Sequence, residues 1–185
     1  MPAEAAALYD RLCEMPGGVN ERLAEGACFR VLKIMFVCHG NICRSPMAEF
    51  VMKDIAARRG LADKFLVMSS AASAEEVGSD MHEAARARLR EEGVPFERRR
   101  AVQLTRADYG KFDYIIGMDG QNIRNILRIC GGDPEDKVWK LMDFTDEAGE
   151  DVADPWYTGN FTRAYDDIRK GCEALMARLK SDGAV

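Results

Sequence analysis

The chain has no run of about 18 apolar residues, so no segment reads as a membrane-spanning helix. It has only two histidines beside six cysteines, and the cysteines lack short paired spacings. Neither a disulfide scaffold nor one of the common zinc sites is expected from such a set. Basic charge is not in excess: 26 Lys and Arg stand against 31 Asp and Glu, a formal net charge of −5. That argues against a general nucleic-acid binder or a binder of anionic membrane surfaces. No charged start followed by an apolar core and a cleavage site marks export. Free thiols suit a reducing compartment, so the cytoplasm is expected. What remains is ordinary: 185 residues, 47% hydrophobic and 31% charged. The simplest organisation is one α/β domain over residues 30–185 behind an added segment, residues 1–29.

In that added segment AEAAALYDRLCEM puts Ala7, Leu8, Leu12 and Met15 on roughly one face before Pro16-Gly17-Gly18 breaks the pattern. A short helix or a disordered tail is expected there, dispensable to the domain. Cys13 and Cys28 are given no function.

Residues 31–49, VLKIMFVCHGNICRSPMAE, organise the rest. An apolar run rich in β-branched and large side chains leads into a short loop and then an amphipathic helix. Cys38 opens the loop and Arg44-Ser45 closes it, with Pro46 expected at the first helical position. A strand feeding a helix through a tight loop aims backbone N–H groups and the positive end of the helix at one spot. An anion belongs there. A thiol inside such a ring is favoured as the thiolate, which makes Cys38 the expected nucleophile. Arg44 offers a planar fork for two phosphate oxygens. Ser45 is expected to hydrogen-bond the Cys38 sulfur. Gly40 and Asn41 are types that tolerate the positive φ of an anion-cradling turn. His39 follows the nucleophile and is expected to line the cleft mouth. Cys172 and Arg178 repeat the Cys-x5-Arg spacing inside a helical pattern with no strand before it, so Cys172 is read as packing.

Downstream, Met47, Phe50, Val51 and Ile55 form a helical stripe stopped by Gly60. Residues 64–70 read as a second strand, 82–92 as a helix, 112–117 as a third strand and 122–130 as another helix. VWKLMDF, residues 138–144, reads as a last, buried parallel strand. His82 is assigned a surface or half-buried place without ligation or catalysis. ERRR, residues 97–100, reads as a solvated face. The last helix carries Ala164, Ile168, Cys172, Leu175 and Leu179 on one stripe. Strands and helices alternating at these lengths specify a doubly wound, flavodoxin-like sheet of four parallel strands with helices on both faces. Ligands there sit beyond the carboxyl ends of the strands, where Cys38 falls.

DPWYTGNF, residues 154–161, is the second functional stretch. An aryl phosphate needs a proton donor for its leaving oxygen, and a cysteinyl phosphate needs a base to activate water. Asp154 suits both tasks, with Trp156 and Tyr157 as a flat surface against a phenyl ring. Cys43 lies five residues after Cys38 in a loop that curls on itself. A disulfide between the two would protect Cys38 from irreversible oxidation.

VCHGNICRSPMAEF resembles the phosphate-binding loop of the low-molecular-weight protein tyrosine phosphatases, and DPWYTGNF resembles that family's general-acid loop. The resemblance covers residues from about 31 to about 180. It implies a metal-free and cofactor-free phosphatase that hydrolyses phosphotyrosine in proteins, with Cys38, Arg44 and Asp154 catalytic; a monomer is expected. His39, Gly40, Asn41, Ile42, Cys43 and Ser45 then form and support the phosphate loop, and His39, Trp156 and Tyr157 line the substrate. It also implies that Ser70 orients Asn41 and that Asp119 caps structure near the loop. Glu75-Glu76 stands where relatives often carry an aromatic, and Arg99 where well-studied relatives carry a histidine of the loop network. Three other activities are weighed. A protein arginine phosphatase on this scaffold typically has Thr before the second loop cysteine, where this chain has Ile42. A thiol-linked arsenate reductase needs resolving cysteines in a later mobile segment, and residues 100–125 contain none. A catalytically silent phosphotyrosine-binding module would be expected to lack one of Cys38, Arg44 and Asp154.

Overall fold

A computed structural model describes residues 30–185, so the expected short helix before residue 30, with Cys13 and Cys28, lies outside the described residues. Four strands, β1 (Leu32–Cys38), β2 (Phe65–Ala71), β3 (Tyr114–Gly117) and β4 (Val138–Lys140), form one sheet in the order β2-β1-β3-β4. Every pairing is parallel, with Cys38 opposite Ala71 and Val37 opposite Gly117. The helices are α1 (Arg44–Arg58), α2 (Glu83–Glu91), α3 (Gly120–Cys130), the single turn α4 (Pro155–Thr158) and α5 (Phe161–Ser181).

Side chains alternate across a strand, so β1 feeds two cores. Ile34, Phe36 and Cys38 pack on one face with Met47, Val51 and Ile55 of α1 and with Ile168, Cys172 and Leu175 of α5. Met35 and Val37 pack on the other face with Ile126 and Cys130 of α3. Each fully buried side chain of this size, such as Ile34 or Phe36, contributes about 1.5–3 kcal/mol. The central place of β1 fixes Cys38 at the carboxyl edge of the sheet, on the face covered by α1 and α5.

Several expected boundaries move. Helix α1 begins at Arg44, two residues earlier than expected, with Cys43 as its N-cap. Pro46 therefore falls third, still within the first turn whose N–H groups have no partner in the helix. His82 precedes α2 as its cap, its Nδ1 accepting from Ala84 N at 3.2 Å. β4 is a three-residue, half-buried edge strand rather than a long buried one. After Lys140 the chain tightens into a 3-10 turn, Leu141–Phe144, because Asp143 accepts from Lys140 N at 3.3 Å and closes the turn. Leu141 and Met142 thereby enter the core instead of extending the sheet.

That turn depends on Gly171 in α5. A Cβ on Gly171 would lie 2.5 Å from Cγ of the fully buried Leu141. Alanine gains about 1 kcal/mol in helix propensity over glycine, yet overpacking costs about 1–3 kcal/mol. Gly171→Ala is expected to lower stability by about 1–2 kcal/mol net of that gain, read as a lower urea midpoint with an unchanged slope.

Candidate active site

The loop between β1 and α1 is shaped by where its carbonyls go. Cys38 O accepts from Ala72 N at 2.8 Å, His39 O from Ser73 N at 3.0 Å, and Ile42 O from His82 N at 2.8 Å. Cys43 O accepts from Met47 N at 3.2 Å, and Asn41 O accepts from Arg99 Nη1 at 2.9 Å. A trans peptide is planar, with its N–H opposite its C=O, and no described peptide is cis. Five carbonyls held outward therefore turn the N–H groups of His39, Gly40, Ile42, Cys43 and Arg44 toward the inside of the loop. The start of α1 adds its partial positive charge.

Asn41 makes the turn. Its φ is 58°, a left-handed value that asparagine tolerates better than most residues. Gly40, expected to share that role, has no positive φ. Its missing side chain serves a close approach instead, since a Cβ there would lie 3.1 Å from Glu76 Cγ. The fully buried Asn41 donates through Nδ2 to Ser45 Oγ and to Ser69 Oγ, both at 2.9 Å. Ser69, not the expected Ser70, orients it. Adjacent residues of β2 point to opposite faces, and Ser70 Oγ is buried without a hydrogen-bond partner among the described residues, while its carbonyl accepts from Ser45 Oγ at 3.3 Å.

Cys38 Sγ lies 3.1 Å from Ser45 Oγ. Ser45 has one hydroxyl hydrogen for the sulfur or for Ser70 O, and a thiolate attracts it more strongly because the bond is charge-assisted. Cys43 stays a thiol. Burial, then the charges of Cys38 and Asp154, push it up to about 12.

Arg44 is 3% exposed and bracketed by carboxylates. Nη1 donates to Asp119 Oδ2 at 2.6 Å and Nη2 to Asp154 Oδ2 at 2.5 Å. Burial opposes its charge, but Cys38, Asp154 and Asp119 outweigh that and raise its pKa. Asp119 also caps α3, accepting from Asn122 N at 2.6 Å through Oδ1, so one residue fixes both the helix and the guanidinium. Asp154 caps α4, accepting from Trp156 N at 3.0 Å through Oδ1.

These groups meet at a cleft of ≈ 250 Å³. Cys38, Gly40, Ile42, Cys43 and Arg44 form its floor, Asp154, Trp156 and Tyr157 one side, and Glu75 and Glu76 the other. Asn41 and Ser45 stand behind the floor. His39 lies at the mouth, Nε2 3.0 Å from Glu75 Oε2. Trp156 and Tyr157 are 64% and 85% exposed. His82 supports the floor through its N–H to Ile42, and its ring stacks on Phe161 at 5.2 Å.

The sequence reading missed Glu49, and it placed Asp119 near the loop without its contact to Arg44. Glu49 on α1 is 7% exposed and accepts from Ser69 Oγ at 2.6 Å and Lys53 Nζ at 2.6 Å. Its signal was a glutamate between apolar neighbours on a core-facing helix, which demands a partner. The Arg44–Asp119 contact had only a topological signal, since β3 ends beside β1. Arg99, read within a solvated run but also standing where the resemblance puts a histidine of the loop network, is 9% exposed, whereas Arg98 and Arg100 point to solvent. Exposure alternates from Arg98 to Ala101, the pattern by which successive side chains go to opposite sides.

A parallel α/β sheet with this cysteine–arginine loop at its carboxyl edge defines the class, a cysteine-dependent phosphatase. The model of the family described as low molecular weight phosphotyrosine protein phosphatase matches residues 33–185. The low molecular weight protein-tyrosine-phosphatase YfkJ of Bacillus subtilis is 38% identical over 153 residues, 82% of this chain and 98% of that protein. The low molecular weight protein-tyrosine-phosphatase PtpA of Staphylococcus saprophyticus is 36% identical, covering 82% and 96%. The crystal structure of YfkJ superposes with a TM-score of 0.79 over 82% of this chain and 96% of that one. A protein tyrosine phosphatase from Entamoeba histolytica superposes at 0.76 with 31% identity, covering 83% and 99%. The chain belongs to the low molecular weight phosphotyrosine protein phosphatase family.

The cysteines differ enough to be told apart chemically. Cys38 faces inward-turned N–H groups, Cys43 is held protonated, and burial raises the Cys130 and Cys172 thiols. Limiting iodoacetamide at pH 7 is expected to label Cys38 first among the four described cysteines, with inorganic phosphate slowing the reaction. Peptide mapping by mass spectrometry reads the order.

Proposed function

We propose that this chain hydrolyses phosphotyrosine in proteins through a cysteinyl-phosphate intermediate. The observation that carries the reading is convergence. Arg44 and Asp154, 110 residues apart in sequence, touch at one cleft with Cys38 on its floor. The Cys38 thiolate attacks phosphorus in line, and the tyrosyl oxygen leaves. Arg44 and the loop N–H groups hold the three equatorial oxygens, and such positioned donors supply most of the rate. A phosphate oxygen competes with Asp154 for Nη2 of Arg44, while Asp119 keeps Nη1. Released from the guanidinium, the Asp154 carboxyl carries the proton to the leaving oxygen and then takes one from the water that attacks the cysteinyl phosphate. Trp156 and Tyr157 offer their faces to the substrate ring, which favours phosphotyrosine over phosphoarginine. A thiolate enzyme of this kind suits the reducing cytoplasm and acts as a monomer.

The test is hydrolysis of p-nitrophenyl phosphate and of phosphotyrosine peptides in excess chelator, with phosphoarginine peptides alongside. Cys38→Ser is expected to abolish turnover. Asp154→Ala is expected to lower kcat about 10²–10⁴-fold, most for the poorest leaving groups. Wild-type rates in Asp154→Ala would remove the acid role, and faster turnover of phosphoarginine would reassign the substrate.

Cys43 is given a protective role on the same reading. Peroxide-inactivated wild type is expected to recover in dithiothreitol while Cys43→Ser does not, since Cys38 without a disulfide partner proceeds to irreversible acids. Equal recovery in both would remove that role.

A further inference from the structure

Arg99 stands apart among the groups that shape the loop. Of the five loop carbonyls held outward, those of Cys38, His39, Ile42 and Cys43 accept backbone N–H groups. The Asn41 carbonyl accepts from a side chain, Arg99 Nη1 at 2.9 Å. Nη2 of the same guanidinium donates to Asn41 Oδ1 at 2.6 Å and to Ser69 O at 3.3 Å. One planar fork thus grips both the peptide and the amide of the residue with φ of 58°. The peptide it grips is the one whose other end is the N–H of Ile42.

We infer that Arg99 is a positioning residue that sets the direction of the Asn41–Ile42 peptide and so presents the Ile42 N–H to the phosphate. The inference rests on the reading of the cleft as a phosphatase site. A left-handed residue beside an unpinned peptide has an accessible alternative, in which the peptide plane flips and aims a carbonyl at the anion. Backbone neighbours prevent this for the other four peptides. Among the described residues, only the guanidinium does so here.

The charge on Arg99 is sustained where it lies. Glu49 Oε2 from α1 is 3.8 Å from Nε and also accepts from Ser69 Oγ, while its other oxygen takes Lys53. Asp80, itself paired with Arg86 and Arg98, and Cys38 face the same guanidinium. Burial pulls its pKa down and Glu49, Cys38 and Asp80 oppose the fall. An arginine remains protonated under such pressure. Lysine keeps a cation but has no fork to hold the carbonyl and the amide oxygen of Asn41 together.

The experiment uses the full chain, with Arg99→Gln and Arg99→Lys beside Arg100→Gln as the surface control. Competitive inhibition by inorganic phosphate, KM and kcat for p-nitrophenyl phosphate, and thermal midpoints are measured together. Arg99→Gln and Arg99→Lys are each expected to weaken phosphate inhibition about tenfold, the loss of one hydrogen bond to a charged ligand. Arg100→Gln is expected to match wild type. On ¹⁵N-labelled protein, phosphate is expected to shift the Ile42 amide in wild type and to leave it nearly unmoved in Arg99→Lys. This reading also serves if Arg99→Gln does not fold. A folded Arg99→Gln within twofold of wild type in phosphate inhibition, or an Ile42 amide that still shifts in Arg99→Lys, overturns the proposal. Wild type that neither binds phosphate nor turns over fails the phosphatase reading itself, a different outcome from equal binding in wild type and variants.

Discussion

The planarity of the peptide bond is the constraint on which this structure depends. Five residues must present N–H groups to one point, and each can do so only if the carbonyl before it is occupied on the outside. The partners come from elements far apart in sequence: Ala72 and Ser73 after β2, His82 before α2, Met47 within α1, and Arg99 from an extended segment. The surrounding fold is what makes these donors available. β2 pairs beside β1 in register through Cys38 and Ala71, so the chain leaving β2 runs along the back of the loop. An isolated loop of this sequence would have no reason to keep its carbonyls outward.

A second constraint is electrostatic. Cys38, Asp119 and Asp154 act on one guanidinium, and Glu75 and Glu76 also line the cleft. Removing either partner of a buried ion pair leaves a costly uncompensated charge. Arg44 is protected by redundancy: losing Asp154 to a proton or gaining a phosphate still leaves Asp119 in place. The N-cap duties of both aspartates hold their carboxylates still, so the arginine is positioned before any ligand arrives. Preorganisation of this kind separates a binding site from a salt-bridge cluster.

Much of this was legible in sequence because it is local. The strand-loop-helix at residue 38 and the stripes of α1 and α5 each declare themselves within about one helical turn or a few strand residues. The illegible parts are those where distance or parity decides. Ser69 and Ser70 are chemically alike, and only the register of β2 on β1 says which faces Asn41. The three arginines at 98–100 are identical in type, so the residues alone do not distinguish them; the resemblance singles out Arg99, and packing turns it inward. β4 reads as a continuous apolar run through residue 144, but as an edge strand it lacks a second neighbour to hold it extended. Asp143 then closes the turn, and the core takes Leu141.

The exposed aromatics follow the same logic in reverse. Trp156 and Tyr157 leave large apolar surfaces in water, which a monomeric fold usually avoids. They sit on a single helical turn fixed at both ends, by Asp154 and Pro155 at its start and by Gly159 with φ of 67° at its finish. Aromatic side chains have few torsions to freeze, so a short rigid turn presents their faces at small entropic cost. The same Asp154 that caps this turn holds Arg44. On the proposed reading, a phosphate that displaces that contact acts on the residue that anchors the aromatic pair. The chemistry at phosphorus and a hold on the ring beyond it would then be joined through one carboxylate.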